Sequence, residues 1–289
     1  MNYVSTEGVG KMRTFIFNYT NMKDFKFLAT GLTCMALLAG FSSCSDDDES
    51  AGDTVDTKAV FTNGWPKSAP GIYSITRNAE GLVTAMETDG GDVTFEYHNI
   101  KTRADGGAYV EMTVTYSEDD YYVARMKLGG NGFVTSAEVT QYDDYGTANE
   151  NWKLGYNSDG QLNYVRHTSN DEDEETRATY SNGDITRVVE TDNDGDEVYS
   201  YDILYTNDEV TTPIENKGNV MLFDETLYFD LDQIGIAYYA GLLGKATRHL
   251  PVGYYDPEYD DGYSYSWGIG EDGFPIWTDA SGDREYFEW

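Results

Sequence analysis

Apolar and polar residues alternate along most of the chain after residue 71, and short polar turns separate the alternating stretches. Such alternation places every second side chain on the same face of a β-strand. Residues 93–97, 109–116 and 198–205 show the pattern most clearly. Read in this way, the chain contains roughly a dozen strands. Because consecutive strands joined by short turns pair with each other, the pattern predicts an antiparallel β-meander.

Most of the predicted turns end in glycine. Glycine adopts the positive φ that tight hairpins need, and Asn or Asp beside it favours the same turns. The intervals between successive turns vary, so we expect hairpins of unequal length. The glycines that stand just before a new strand are Gly81, Gly132, Gly160, Gly183 and, near the C-terminus, Gly273.

Residues 231–243 are the one stretch that departs from the alternation. No charged residue occurs between Asp232 and Lys245, and Gly244 stands where a helix commonly ends. A helix that is apolar nearly all round has to be covered by other elements. Its thirteen residues are fewer than the roughly 20 needed to cross a bilayer, so we expect protein to cover it. One helical stripe consists of Leu231, Ile234, Tyr238 and Leu242.

The number of strands and the single helix together predict the fold class. A sheet of roughly a dozen strands usually curls rather than staying flat. A curled sheet with an apolar inner face offers shelter to an apolar helix. We therefore predict a mainly β protein, an antiparallel β-meander curled into an open or partial barrel. The helix of residues 231–243, near the C-terminus, is predicted to pack on the concave face.

The N-terminal segment has the form of an export signal. Residues 27–41 are apolar, two lysines precede them, and Ser42, Ser43 and Cys44 follow. This resembles a bacterial lipoprotein signal, in which Cys44 becomes the acylated first residue of the mature chain. We predict a signal peptide at residues 1–43, with Met22 as a possible true start. An N-terminal transmembrane anchor is the alternative.

The residues after Cys44 predict the location of the protein. Residues 46–49 are all acidic and resemble the signal that sends Bacteroidetes lipoproteins to the outer face of the outer membrane; a solvated tether is the alternative. We predict an acidic flexible tether at residues 44–64 and a single β-domain at residues 65–289. The lipid bilayer would then be a partner through acylated Cys44, with the protein in the outer membrane facing the cell exterior.

Composition excludes several classes of function. The chain has 52 acidic and 19 basic residues, a formal net charge of −33. Such a surface repels nucleic acid and anionic lipid headgroups, so we exclude both as partners. Cys34 lies in the predicted leader and Cys44 is the predicted lipid site, which leaves no cysteine pair for a disulfide or a thiolate metal site. No cofactor is predicted.

The order of the segments resembles a known family. The hairpins are followed by the helix, by a Gly-Lys-Ala-Thr-Arg-His-Leu-Pro exit at residues 244–251, and by a closing strand and turn at residues 263–274. Over residues 71–289 this is similar to the DUF4595 family of Bacteroidetes lipoproteins. The resemblance implies a porin-like fold. It implies no activity and no catalytic residue, because the function of the family is unknown.

The acidic segments do not fit a metal site. Read as a calcium loop, residues 190–201 place Tyr201 where a bidentate glutamate is required, so an ordinary Asp-Gly turn is favoured. The acidic run at residues 171–175 has no ligand spacing and is expected to be a solvated loop. The three histidines are too scattered to form a metal pair. No metal site is predicted. The matching calcium-loop positions are Glu190, Asp192, Asp194 and Gly195.

Three basic residues lie together just after the helix. Lys245, Arg248 and His249 lie within five residues of one another in an otherwise acidic protein. Basic residues at this position interact favourably with the negative end of a helix dipole, and this interpretation is favoured. The alternative is a small site for an anion.

Aromatic residues close to the C-terminus form the predicted binding site. Exposed rings interleaved with Asp could stack on the faces of sugars while the carboxylates accept hydrogen bonds from hydroxyl groups. The alternative is that the same rings pack on the sheet. The predicted ligand-binding residues are Tyr254, Tyr255, Tyr259, Tyr263, Tyr265 and Trp267.

These features lead to three hypotheses about function. The first is a non-enzymatic binding or scaffold protein anchored at the cell surface, with another surface protein or a carbohydrate as partner. The second is a glycan-binding module that uses the aromatic residues of 254–267. The third is an enzyme of unrecognised type, although no nucleophile elbow, phosphate loop or zinc signature occurs and no catalytic residue is predicted.

Overall fold

The computed structural model describes residues 59–100, 107–143, 146–170, 173–280 and 282–289. They belong to the compact unit Gly52–Trp289. The predicted signal peptide, Cys44 and the tether as far as residue 58 lie outside the described residues, as does the start of the acidic run at 171–175.

Thirteen strands form one antiparallel sheet, which confirms the predicted meander. Strands β1 to β11 follow each other in the order of the chain, and β14 and β15 then extend the sheet. The strands are β1 Ile72–Arg77, β2 Val83–Thr88, β3 Asp92–His98, β4 Tyr109–Thr115, β5 Tyr121–Leu128, β6 Val134–Asp143, β7 Gly146–Tyr156, β8 Leu162–Thr168, β9 Asp173–Ser181, β10 Asp184–Thr191, β11 Glu197–Leu204, β14 Gly253–Asp256 and β15 Asp261–Ser264.

The remaining strands form two small sheets. In the first, β12 (Ile214–Glu215) pairs with β13 (His249–Leu250). The second contains β16 (Ser266–Ile269), β17 (Pro275–Asp279) and β18 (Glu285–Tyr286). One residue separates the end of β15 from the start of β16. At the other end of this small sheet, the Glu288 carbonyl accepts a hydrogen bond of 2.7 Å from the N–H of Lys67, which precedes β1. The three-stranded sheet therefore connects the two edges of the large sheet, which is not closed.

A side-chain oxygen at the start of several hairpin turns holds the turn together. In the β1–β2 turn, Asn78 Oδ1 accepts hydrogen bonds from the N–H groups of Glu80 and Leu82, both at 3.0 Å. Gly81 completes the turn with a φ of +89°. All five glycines predicted to end turns have positive φ, so those turns are confirmed. The same arrangement occurs at Asn157 with Gly160 and at Asp192 with Gly195.

The predicted helix is present as a 3₁₀ helix, Asp232–Ala240. It ends earlier than predicted, because Gly241 adopts a φ of +78° and its N–H bonds back to the last turn. In a 3₁₀ helix every third side chain lies on the same edge. That edge is completely buried, and so are Tyr238 and Leu242 of the stripe predicted from the sequence. The residues of the edge are Leu231, Ile234, Ala237 and Ala240, all at 0% exposure.

The 3₁₀ helix packs against one face of the large sheet, as the fold class predicted. The Tyr122 hydroxyl on β5 donates a hydrogen bond of 2.7 Å to the Gln233 carbonyl. Buried apolar side chains from β1 to β11 belong to the same core as the 3₁₀ helix. The sequence did not predict a second, five-residue helix, α1 (Phe223–Leu227), which precedes the 3₁₀ helix.

The packed domain begins before the predicted end of the tether. Val60 and Phe61, assigned to the tether from the sequence, are each 2% exposed. The Phe61 ring lies 5.6 Å from the Tyr238 ring and 6.3 Å from the Tyr239 ring. Burial of these two apolar side chains places residues 60 and 61 in the core. Among the described helices, none is long and apolar enough to cross a membrane.

Candidate functional site

The chain after the 3₁₀ helix crosses three successive hairpin turns at one end of the sheet. We call residues 242–248 the strap. The Leu242 carbonyl accepts a hydrogen bond from the Val134 N–H at 2.9 Å, the Lys245 N–H donates to the Gly160 carbonyl at 2.9 Å, and the Arg248 N–H donates to the Gly183 carbonyl at 3.0 Å. These contacts fix the strap to the β5–β6, β7–β8 and β9–β10 turns.

The spacing of these contacts matches the geometry of the sheet. Hairpin turns at one end of a meander recur every second strand, or about 9–10 Å at the usual strand separation. Three residues of extended chain span about 10 Å. Contacts at every third residue therefore let an extended strap follow the turns. An insertion or deletion within residues 242–248 would put these contacts out of step with the turns.

Two buried amide side chains donate hydrogen bonds to carbonyl groups of the strap. Gln161 Nε2 donates to the carbonyls of Gly183 and Ala246, at 2.9 and 2.8 Å. Asn216 Nδ2 donates to the carbonyls of Val220 and Thr247, at 2.8 and 3.1 Å. Both amides are 5% exposed. Gln161 thus joins the strap to the β9–β10 turn, and Asn216 joins it to the segment before α1.

A polar pocket of about 600 Å³ lies beside the strap. Five separate segments line it: residues 59–63, Gln161, the β9–β10 turn, residues 215–219 and residues 245–249. The pocket exists only because the fold brings these distant segments together. Its wall is rich in amide and basic side chains.

The cations of the strap have no acidic partner. Lys245 and Arg248 are exposed at the pocket, and within the described residues neither side chain has a hydrogen bond or an ion pair. Some arginines elsewhere are neutralised: Arg166 contacts Asp173 at 2.7 Å and Arg187 contacts Asp202 at 3.0 Å. The structure therefore places two unneutralised positive charges at this pocket of an acidic protein.

His249 is brought to the same pocket but is already engaged. Its backbone N–H donates to Asp184 Oδ1 at 2.8 Å, and its ring Nδ1 lies 2.7 Å from Asp184 Oδ2. His249 thus closes the end of the strap against β10. The anion site considered from the sequence is reduced to Lys245 and Arg248. The carbonyls at the end of the 3₁₀ helix are bonded by the N–H groups of Gly241 and Leu242, not by either cation.

Asn219 contributes an unpaired donor to the pocket wall. Its Nδ2 is buried and has no hydrogen-bond partner in the described part of the chain. Its backbone adopts a φ of +50°, and its carbonyl accepts a hydrogen bond of 2.6 Å from the Tyr238 hydroxyl. An unpaired buried donor costs about 1–3 kcal/mol. Because the nitrogen is covered, a ligand acceptor would remove that cost only after the Asn219 side chain rotates toward the pocket.

The six aromatic residues predicted to bind ligand lie in different environments. Three of them, Tyr254, Tyr263 and Tyr265, pack into a tyrosine cluster with Tyr201 and Tyr228. The Tyr254 ring lies 4.4 Å from that of Tyr228 and 5.2 Å from that of Tyr201. Tyr265 is 3% exposed. Burial raises the pKa of Tyr201 to about 12. Tyr265 is therefore buried, as the alternative interpretation proposed, whereas Tyr254 and Tyr263 are half-buried.

The other three predicted aromatic residues lie nearer the surface. Tyr259 is 73% exposed, and the Tyr255 hydroxyl donates a hydrogen bond of 2.7 Å to Asp260 Oδ1. Trp267 is half-buried, because its indole N–H donates to the Pro251 carbonyl at 2.7 Å and its ring stacks on Phe287. The surface of this hairpin therefore offers Tyr255 and Tyr259 to a ligand, not a continuous row of six rings.

A histidine on the sheet face was not identified from the sequence. His167 Nε2 lies 2.9 Å from Glu150 Oε2, and Gln233 Nε2 donates to Glu150 Oε1 at 3.3 Å. Burial alone would lower the pKa of His167, but the hydrogen bond and charge of Glu150 outweigh it and raise the pKa. The contact ties β7 and β8 to the 3₁₀ helix. Only the strand register brings residues 150 and 167 together, so no sequence motif could reveal them.

Of the two segments tested for metal binding, the calcium-loop candidate contains the β10–β11 turn. Asp192 Oδ1 accepts hydrogen bonds from the N–H groups of Asp194 and Asp196, both at 3.0 Å, as in an ordinary Asp-Gly hairpin. Residues 173–175 of the acidic run, expected to be a solvated loop, instead begin β9, and Asp173 pairs with Arg166. In the described ranges, no group of three or more His, Cys, Asp or Glu residues is arranged to hold a metal ion.

Comparison with known proteins identifies relatives of the fold. The family model for a domain of unknown function (DUF4595) with porin-like fold matches residues 75–276, which confirms the resemblance drawn from the sequence. No curated protein matches the chain. A porin-like protein from Bacteroides uniformis is similar in structure, with 17% identity, a TM-score of 0.48, and coverage of 74% of this chain and 86% of that chain. A porin-like protein from Bacteroides vulgatus is 13% identical, with a TM-score of 0.47, and the match covers 75% of this chain and 91% of that chain.

Proposed function

The chain belongs to the DUF4595 family of domains with a porin-like fold, and from this premise we propose that it is a non-enzymatic binding protein anchored in the outer membrane. In this proposal, acylated Cys44 inserts into the membrane and the β-domain faces the cell exterior. The polar pocket beside the strap is the binding site. Its ligand is a small, oxygen-rich molecule, and saccharides are the first class to test.

Unpaired donor groups at one pocket carry the proposal. Lys245, Arg248 and the buried amide of Asn219 all line the pocket, and none has a side-chain partner in the described residues. Polar groups that converge on a cavity are typical of ligand sites, and a volume of about 600 Å³ is within their usual range. A hydroxyl-rich ligand would supply the missing acceptors.

The leader sequence supports the proposed location. Residues 27–41 and the Ser-Ser-Cys sequence that ends at Cys44 have the form of a lipoprotein signal, and the acidic residues 46–49 follow directly. Acyl chains on Cys44 would make attachment effectively permanent, since each buried methylene contributes about 0.8 kcal/mol. The strongly acidic composition suits a domain that stays hydrated beside the membrane.

Calorimetric titration of the full-length protein in detergent, with a panel of mono- and disaccharides, tests the ligand. We expect binding that is weakened in Asn219→Gly, which keeps the positive φ at residue 219 but removes the amide donor. Tyr255→Ala and Tyr259→Ala test the alternative that saccharides bind the exposed tyrosines of the β14–β15 hairpin, and we expect both variants to bind like the wild type. Loss of binding in these two variants, with full binding in Asn219→Gly, would move the site to the β14–β15 hairpin.

Two further measurements test the anchor and the absence of catalysis. Cys44→Ala is expected to move the protein from the membrane fraction to the soluble fraction, and protease added to intact cells is expected to digest the wild-type domain. Retention of Cys44→Ala in the membrane would contradict lipid anchoring. Turnover of any saccharide that binds would contradict the non-enzymatic role.

A further inference from the structure

We infer that the polar pocket is selective for an anionic saccharide, one that carries a carboxylate or sulfate group, and that Lys245 and Arg248 bind this group. The inference rests on the proposed function, because it assigns a ligand class to the same pocket. Three observations support it: two cations line the pocket, the strap fixes their backbone, and polar side chains form much of the rest of the wall.

Lys245 and Arg248 stand out by their position at the pocket of a strongly acidic protein. Among the described lysines and arginines, Arg166, Arg177 and Arg187 have carboxylate partners, whereas cations such as Lys127 have none but lie outside the pocket. Lys245 and Arg248 have no such partner within the described residues. An anion would otherwise be repelled by the net charge of −33. Two adjacent free cations therefore provide the local attraction that an anionic ligand needs.

The strap holds both cations in place through its backbone. The Lys245 N–H is bonded to the Gly160 carbonyl and the Arg248 N–H to the Gly183 carbonyl. The stem of Lys245 also lies against the β7–β8 turn, since a Cβ on Gly160 would be 3.7 Å from Lys245 Cε. Fixed attachment points reduce the conformational entropy that is lost when a ligand binds.

The other polar groups of the pocket suit the rest of a saccharide. The unpaired Asn219 Nδ2 can donate to a ring or hydroxyl oxygen, and Asn182 lies on the opposite turn with a φ of +54°. Glu215 also lines the pocket and can accept a hydrogen bond from a sugar hydroxyl. The pocket is larger than an inorganic ion requires. A monosaccharide or disaccharide with one acidic group matches both its size and its groups.

The test compares acidic sugars with their neutral counterparts. Full-length protein in detergent is titrated with galacturonate, galactose 6-sulfate and galactose, at low and high salt. We expect the two acidic sugars to bind about tenfold more tightly than galactose at low salt, and we expect salt to reduce this preference.

Substitutions in the strap assign the preference to its cations. Lys245→Met and Arg248→Met are expected to remove most of the preference and to leave galactose binding nearly unchanged. Lys127→Met is the matched control, because it makes the same change of charge at an exposed position on β5, outside the pocket. Asn219→Asp, which replaces the amide with a negatively charged carboxylate of equal size, is expected to weaken the acidic sugars most.

The possible outcomes separate the inference from the proposed function. Equal affinity for acidic and neutral sugars, with both weakened in Asn219→Gly, would overturn the inference and leave the binding function in place. A preference that survives in both Met variants would also overturn it. Absence of binding for every sugar of the panel would overturn the proposed function itself. Thermal unfolding of each variant shows that the comparison is made between folded proteins.

Discussion

Gly244 controls how closely the strap approaches the sheet. It adopts a φ of +91°, and a Cβ at this position would lie 2.8 Å from the Gly160 carbonyl oxygen and 2.8 Å from Tyr156 Cε1. Neither neighbour can move freely, because one is backbone and the Tyr156 hydroxyl is bonded to the Val134 carbonyl at 2.8 Å. We therefore expect Gly244→Ala to push the strap away from the β7–β8 turn.

The cost of this substitution can be divided into two parts. Forcing alanine into the left-handed region costs about 1–2 kcal/mol. Displacing the strap breaks the 2.9 Å bond between the Lys245 N–H and the Gly160 carbonyl, which contributes about 0.5–1.5 kcal/mol. Together these predict a loss of about 2–3 kcal/mol in the free energy of unfolding.

Gly195→Ala is the matched control. Gly195, in the β10–β11 turn, has a similar φ of +83°, but nothing lies within 4 Å of the position that a Cβ would occupy there. This variant should show only the backbone cost of about 1–2 kcal/mol. Urea unfolding followed by tryptophan fluorescence and circular dichroism measures both free energies. Equal losses in the two variants would refute the close approach of the strap. Gly244→Ala should also weaken galacturonate binding, whereas Gly195→Ala should not.

Other predictions concern the core, a histidine and the aromatic hairpin. Ile234→Ala should cost about 3 kcal/mol in urea unfolding, and Ile236→Ala, at a half-buried position, clearly less; equal costs would contradict the deeper burial of Ile234. Because the folded pKa of His167 is raised above 6.5, its contribution to stability is complete below about pH 6.5 and is lost as pH rises through the folded value. Thermal unfolding over this range should show the loss in wild type but not in His167→Gln. Tyr259→Ala should change stability by less than about 0.5 kcal/mol.

The sequence predicted the meander because its signals are local. Alternation defines each strand, and Asn or Asp with a following glycine defines each turn, as in the turn at Gly81. Neighbouring strands then pair without further information. The type of the helix was predicted less well. Tyr238 and Leu242, expected on an α-helical stripe, are buried as completely as Ala237 and Ala240, so the pattern of apolar residues does not distinguish a 3₁₀ from an α-helix.

The pocket could not be predicted, because no single segment contains it. The basic residues of the strap were visible, but their unpaired state depends on where the fold places the acidic side chains. The unpaired amide of Asn219 likewise depends on which segments the fold places around it. The aromatic residues show the opposite case. Their pattern was clear, yet the same letters describe exposed rings such as Tyr259 and buried rings such as Tyr265.

A crystal structure of the protein with galacturonate tests the central claim most directly. Our account predicts the sugar in the polar pocket, with its carboxylate within about 3 Å of Lys245 Nζ or the Arg248 guanidinium and a ring oxygen or hydroxyl at Asn219 Nδ2. Sugar stacked on Tyr255 and Tyr259, with no density beside the strap, would contradict it.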